Sequence, residues 1–200
     1  MPQSEELTPC PSSPYAVSKL AGEHYCRVFA DLYGLETVCL RYFDIFGPRQ
    51  DPNEPHAPVI ARFIDAALRG EALEIHGDGL QARDFTYIDN VVDANLLAAE
   101  SLEGTGEVFN VGQNRSLTLL DVIDRLRRIV GRELRWSHTK ARPGDLKDSR
   151  ADIAKAGRIL GYRPRVSFED GLRKTVEFYR HKIADAANGR SHAAEGIVEF

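Results

Sequence analysis

Two hundred residues, 42% apolar and 28% charged, have the length and mixture of a globular protein of one domain or one and a half. A formal net charge of −4 argues against a general nucleic-acid binder, because no strong positive field meets the phosphates. Cys10, Cys26 and Cys39 are odd in number and form no Cys-x-x-Cys, so they read as reduced cytosolic thiols. No apolar run is long enough to span a bilayer, the polar, proline-bearing start is not a secretory signal, and the six histidines lack metal-ligand spacing.

In chain order, Ser13 and Pro14 predict an N-cap and a first helical residue, with the helix running to about Tyr33 and stopping at Gly34. Glu36 to Tyr42 reads as a short buried strand. Residues 44–58, punctuated by Gly47, Pro48, Pro52, Pro55 and Pro58, read as a loop long enough to be functional. An amphipathic helix follows from Val59 to Arg69, closed by Gly70. Ala72 to His76 is a predicted strand, Gly77-Asp78-Gly79 a turn, and Arg83 to Tyr87 another strand. Ile88 to Ser101 is a predicted helix, with Asp89 placed where a carboxylate suits the helix dipole. Then come a strand at Val108 to Val111, a helix capped by Ser116 or Thr118 and reaching about Val130, and a strand at Leu134 to Ser137. Helices are predicted at Ala151 to Leu160 and Phe168 to Lys182, and the stretch from about Ala184 reads as a fraying tail. The alternation of helix and strand predicts an α/β layer architecture.

The chemistry-bearing pair is Tyr15 and Lys19. Four residues apart on a helix, they share a face. A lysine ammonium beside a phenol favours the phenolate and is expected to lower its pKa, which suits a general acid or base acting on a sugar hydroxyl. An isolated Tyr-x-x-x-Lys is more often an ordinary exposed pair; here three other segments accompany it. They are Leu40-Arg41-Tyr42-Phe43-Asp44-Ile45-Phe46-Gly47-Pro48-Arg49-Gln50, Gly77 to Asp89 (Gly-Asp-Gly-Leu-Gln-Ala-Arg-Asp-Phe-Thr-Tyr-Ile-Asp), and Arg142-Pro143-Gly144-Asp145.

In order and spacing these four segments resemble the extended short-chain dehydrogenase/reductase family. Within it they are nearest the NAD-dependent nucleotide-sugar epimerases and dehydratases, of the UDP-glucose 4-epimerase type, over about Pro2 to Lys182. The resemblance implies an α/β fold: the C-terminal part of an NAD(P)-binding Rossmann-like domain with a small α/β substrate-binding domain. The Rossmann-like part would comprise residues 1–58 and about 88–115, the nucleotide-sugar part 59–87 and 116–182, and the tail 183–200. No Gly-x-x-Gly-x-x-Gly turn, which would seat the NAD pyrophosphate at a helix N-terminus, occurs in the sequence. The family's catalytic Ser/Thr, expected upstream of the tyrosine, has no counterpart either.

The resemblance also assigns roles. Tyr15 would be the catalytic acid/base. Lys19 would hold the nicotinamide ribose, and Tyr42 would line the cofactor. Arg83 and Arg142 would grip the diphosphate, for which a guanidinium fork is well shaped; surface ion pairing, Arg83 with Asp84, is the plainer alternative. Asp145 would bond near the same nucleotide or merely complete a turn. The strand edge at Leu73 to Ile75 would read the base, and Val59 and Arg62 open a helix over the nucleotide, with Phe63 more apt to be core. Asp44 departs from the family's usual Asn: an ionised carboxylate cannot donate to a phosphate. The implied partners are a UDP-sugar and, as a homodimer through the Tyr15 helix, a second copy; no nucleic acid and no membrane are expected. The implied chemistry is transient oxidation at a sugar C4 by NAD. Dehydration or decarboxylation on the same scaffold, and a non-catalytic nucleotide-sugar-binding fragment, are the rival expectations.

Overall fold

The computed structural model describes residues 1–54, 57–141 and 147–187. Six helices are found among them: α1 (Pro14–Tyr33), α2 (Val59–Arg69), α3 (Ile88–Glu100), α4 (Leu119–Val130), α5 (Ala154–Ile159) and α6 (Phe168–Ala187). The strands are β1 (Cys39–Tyr42), β2 (Ile45–Phe46), β3 (Leu73–His76), β4 (Ala82–Arg83), β5 (Thr86–Tyr87), β6 (Val108–Val111), β7 (Leu117–Thr118) and β8 (Trp136–Thr139). They pair two by two. β1 with β6, β2 with β5 and β3 with β8 are parallel; β4 with β7 is antiparallel.

Local chemistry sets most helix ends. The Ser13 side chain accepts the Ala16 N–H at 3.1 Å, and α1 closes on Gly34 at φ 65°, a conformation an L side chain resists. α4 starts with a capping box in which Thr118 and Asp121 each bond the other's backbone N–H at 3.0 Å. α6 extends to Ala187, five residues beyond the expected Lys182. The predicted strand at Arg83 to Tyr87 is two short strands, because Asp84 and Phe85 turn inward between β4 and β5. β2 lies inside the stretch expected to be loop; a two-residue strand is too short to show an alternating pattern.

Two apolar cores result. One packs α2, α4 and α6 over β3 and β5, with Phe63, Leu73, Leu126, Leu172 and Tyr179 fully buried. The other packs α3 and α5 on β6 through Ala94, Phe109, Val111, Ala156 and Tyr162. Within this second core α5 packs on β6. The first residues brace β6: Gln3 forms a parallel bridge with Ala151, and the Glu5 carboxylate accepts the Asn110 N–H at 2.8 Å. That outer backbone position of β6 is thereby satisfied.

Candidate active site

Helix α1 lies beside β1 on one face only. Ala16, Leu20, Glu23, Cys26 and Ala30, spaced at helical intervals, are its half-buried positions, and α1 has no fully buried residue. Two polar ties hold it. Arg41 on β1 grips Glu23 in a bidentate pair, Nε and Nη2 donating at 2.8 and 2.7 Å. The Thr37 hydroxyl donates to the Cys26 carbonyl at 3.1 Å. Between α1, β1 and the N-terminal segment opens a groove of about 970 Å³.

Tyr15, Lys19 and Glu23 follow one another along the groove wall at i, i+4 and i+8. Tyr15 is 71% exposed, so its phenol is free to meet a bound molecule. The Lys19 ammonium sits over the Tyr15 ring, 5.2 Å from its centre, against the π face. Glu23 was missed from sequence, although Tyr-x-x-x-Lys-x-x-x-Glu on one face was there to be read. Its service is to anchor the helix turn that follows Lys19.

The other expected site residues are more dispersed. Tyr42 borders the groove, while its phenol donates to Asn95 of α3 at 3.0 Å on the other side of β1. Asp44 is exposed in the bend between β1 and β2 at φ 30°, a left-handed conformation that Asp tolerates better than most residues, and its carbonyl accepts the Thr86 N–H at 3.1 Å. Val59 and Arg62 lie in the first turn of α2, and Phe63 is core. Arg83 is half-buried on β4, with Nη1 donating to the Ala82 carbonyl at 2.8 Å. Ile75 is fully buried, and Leu73 and Gly77, on the same side of the strand, donate to Arg135 and Thr139 at 2.8 and 2.9 Å. Backbone groups alternate along a strand, so Ile75 also faces β8, and the outward edge of β3 is that of Glu74 and His76. Arg142 and Asp145 lie outside the described residues.

Asp84, read from sequence only as an ion-pair partner, proves to be a hub. It is fully buried, with Oδ1 accepting the Gln113 N–H at 2.7 Å and Oδ2 the Ala151 N–H at 3.0 Å. Burial pushes its carboxyl above the usual carboxylate range, against the pull of the N–H groups of Gln113, Ala151, Arg115 and Asn114. Gly112 is required beside it: a Cβ there would stand 2.6 Å from that of Ala151 and 2.9 Å from Asp84 Oδ2. Tyr162 adds a bond from its hydroxyl to the Gly112 carbonyl at 3.0 Å. Asp84 thus locks the strand bearing Arg83 to the end of β6.

The sequence profile of the NAD dependent epimerase/dehydratase family matches residues 1–112, which carry α1, β1 and the groove. The chain belongs to that family. Among epimerase/dehydratase relatives, it is 38% identical over 181 residues to the UDP-glucose 4-epimerase of Mycolicibacterium smegmatis, covering 90% of this chain and 57% of that protein. The crystal structure of the Thermotoga maritima UDP-glucose 4-epimerase with UDP-glucose superposes with a TM-score of 0.87 at 43% identity, over 91% of this chain and 58% of that one. The UDP-glucuronic acid 4-epimerase of Bacillus cereus, in complex with UDP-glucuronic acid and NAD, gives 0.84 at 39%, over 91% and 57%. The chain therefore spans a little over half the length of the epimerase/dehydratase relatives it matches, and its fold is part of their Rossmann-like α/β fold.

Proposed function

We propose that these residues belong to an NAD-dependent nucleotide-sugar epimerase of the UDP-hexose 4-epimerase type. The observation that carries the proposal is the Tyr15–Lys19 pair, exposed side by side in the groove on a helix anchored to β1 by Glu23 and Arg41. NAD fits this wall: a phenol and an ammonium are suitable partners for ribose hydroxyls. When bound, it would take a hydride from the sugar C4 and supply one to the other face. Tyr15 would remove and return the C4 hydroxyl proton, Lys19 would orient the ribose, and Tyr42 would border the cofactor. On the substrate side, Arg83 and Arg142 would hold the diphosphate. Val59 and the outward edge of β3 beside Ile75 would flank the nucleotide, with Asp145 near it. Asp44 would face the sugar or its phosphate. We further propose a cytoplasmic setting, supported by three free cysteines, and a homodimer through α1, supported by the exposed Tyr25, Val28, Phe29 and Leu32.

The test is a chimera joining the cofactor-binding part of an epimerase relative to this chain, supplied with UDP-glucose and followed by NMR of the anomeric protons. Formation of the C4 epimer supports the proposal. A folded, NAD-loaded chimera that leaves UDP-glucose, UDP-glucuronate and UDP-N-acetylglucosamine unchanged refutes it. Loss of water from the sugar would favour the dehydratase chemistry that the family also contains.

A further inference from the structure

We propose that Cys26 and Cys39 form a redox latch, a dithiol that closes to a disulfide under oxidation and ties the middle of α1 to the first residue of β1. The two residues come together for reasons independent of the thiols. Cys26 lies on the face of α1 turned to β1, and Cys39 opens β1 where its N–H donates to Glu107 at 3.0 Å. The Thr37 bond to the Cys26 carbonyl lies two residues before Cys39, and the Arg41 pair with Glu23 lies two residues after it. The backbone is thus clamped on both sides of the pair. Both cysteines border the groove, and strand alternation puts Thr37, Cys39 and Arg41 on the side of the chain that meets α1 at Cys26 and Glu23.

Burial first, and then Cys26, push the Cys39 thiol up to about 11; Glu23 adds to this and Arg41 opposes it. The Cys39 thiol is therefore protonated at neutral pH and slow to react until an oxidant is supplied. With glutathione disulfide as oxidant, one cysteine thiolate attacks the glutathione S–S bond and expels a glutathione thiolate. The second cysteine thiolate then attacks the mixed disulfide, forming the Cys26–Cys39 bond and expelling the other glutathione. Two electrons pass to the oxidant, and the two cysteine protons end on the two glutathiones. The consequence is mechanical. α1 has no buried residue and is held by polar ties, so a covalent link restricts the helix that carries Tyr15 and Lys19.

The experiment uses the chain as it is. It is equilibrated with reduced and oxidised glutathione, alkylated without unfolding, and mapped with trypsin. The cuts at Lys19, Arg27 and Arg41 put Cys10, Cys26 and Cys39 on three separate peptides, so each linkage is distinguishable. The expected product joins residues 20–27 to 28–41 with loss of two hydrogens, in wild type and in Cys10→Ser alike. Amide exchange over residues 27–33 should slow severalfold in the oxidised form. Persistent glutathionylation of Cys26 or Cys39 without closure, a link that involves Cys10 instead, or closure only in denaturant would each overturn the latch. Wild-type mapping decides the matter even if a serine variant fails to fold.

Discussion

Replacing Asp84 tests whether the fold depends on a single buried acceptor. Its carboxylate takes N–H groups from Gln113 and Ala151 at 2.7 and 3.0 Å. Hydrogen bonds to a charged group are worth about 1.5–3 kcal/mol each, and a buried donor left without a partner costs about 1–3. The sum is offset by the several kcal/mol that desolvating a carboxylate costs. Asp84→Ala should therefore lose about 3–5 kcal/mol. Because burial raises the Asp84 pKa, its charge is not itself a gain. Asp84→Asn, which keeps one acceptor oxygen, should lose only about 1–3 kcal/mol. Urea unfolding followed by far-UV circular dichroism measures both, and the Ala variant should melt about 6–20 °C lower, at roughly 2–4 °C per kcal/mol for a domain of this size. A loss below about 1 kcal/mol for Asp84→Ala with an unchanged m-value would show that the N–H groups find other partners and that Asp84 is no hub.

Other outcomes follow from the groove and the helix ends. In the chimera, Tyr15→Phe should cut turnover by about 10²-fold or more with substrate affinity nearly unchanged, since general acid–base catalysis contributes about 10²–10⁴; near wild-type turnover would remove Tyr15 from the mechanism. Asp44→Asn should tighten UDP-sugar binding by about 1 kcal/mol at fixed ionic strength, by restoring a donor; weaker binding in a calorimetric titration would mean that the carboxylate makes a favourable contact of its own. The chain on its own should bind NAD far more weakly than the chimera, because its sequence has no glycine-rich pyrophosphate turn; low-micromolar affinity would contradict this. Bonds from Thr118 and Arg125 hold the Asp121 and Glu169 carboxyls below their usual range. Groups lowered by folding stabilise above their unfolded pKa values, about 4, and lose that contribution as pH falls through the folded ones. Stability should decline below about pH 4.5, and Arg125→Met should flatten the decline; an unchanged acid limb in urea titrations would refute the assignment.

What the sequence determined alone is what lies within a few residues along the chain. Ser13 with Pro14, Gly34 and Gly70 mark helix ends because a side-chain acceptor or a left-handed backbone acts locally, and the two glycines do adopt φ 65° and 79°. Tyr15 and Lys19 share a face because helical spacing puts them there. The family motifs were legible as well, and three of the four segments lie within the profile match over residues 1–112. Tertiary structure decided the rest. β2, β4, β5 and β7 are two residues long, and they exist only because partners far along the chain present matching backbone groups. Asp84 gains its importance from donors at 113 and 151, and nothing near residue 84 announces them. The register of β3 on β8 turns Ile75 inward and leaves the outer edge to Glu74 and His76. Glu23 with Arg41, and Cys26 with Cys39, meet only because α1 folds back along β1. Hydrogen-bond geometry and close packing act across space, and the chain position of each residue does not reveal which distant group will satisfy it.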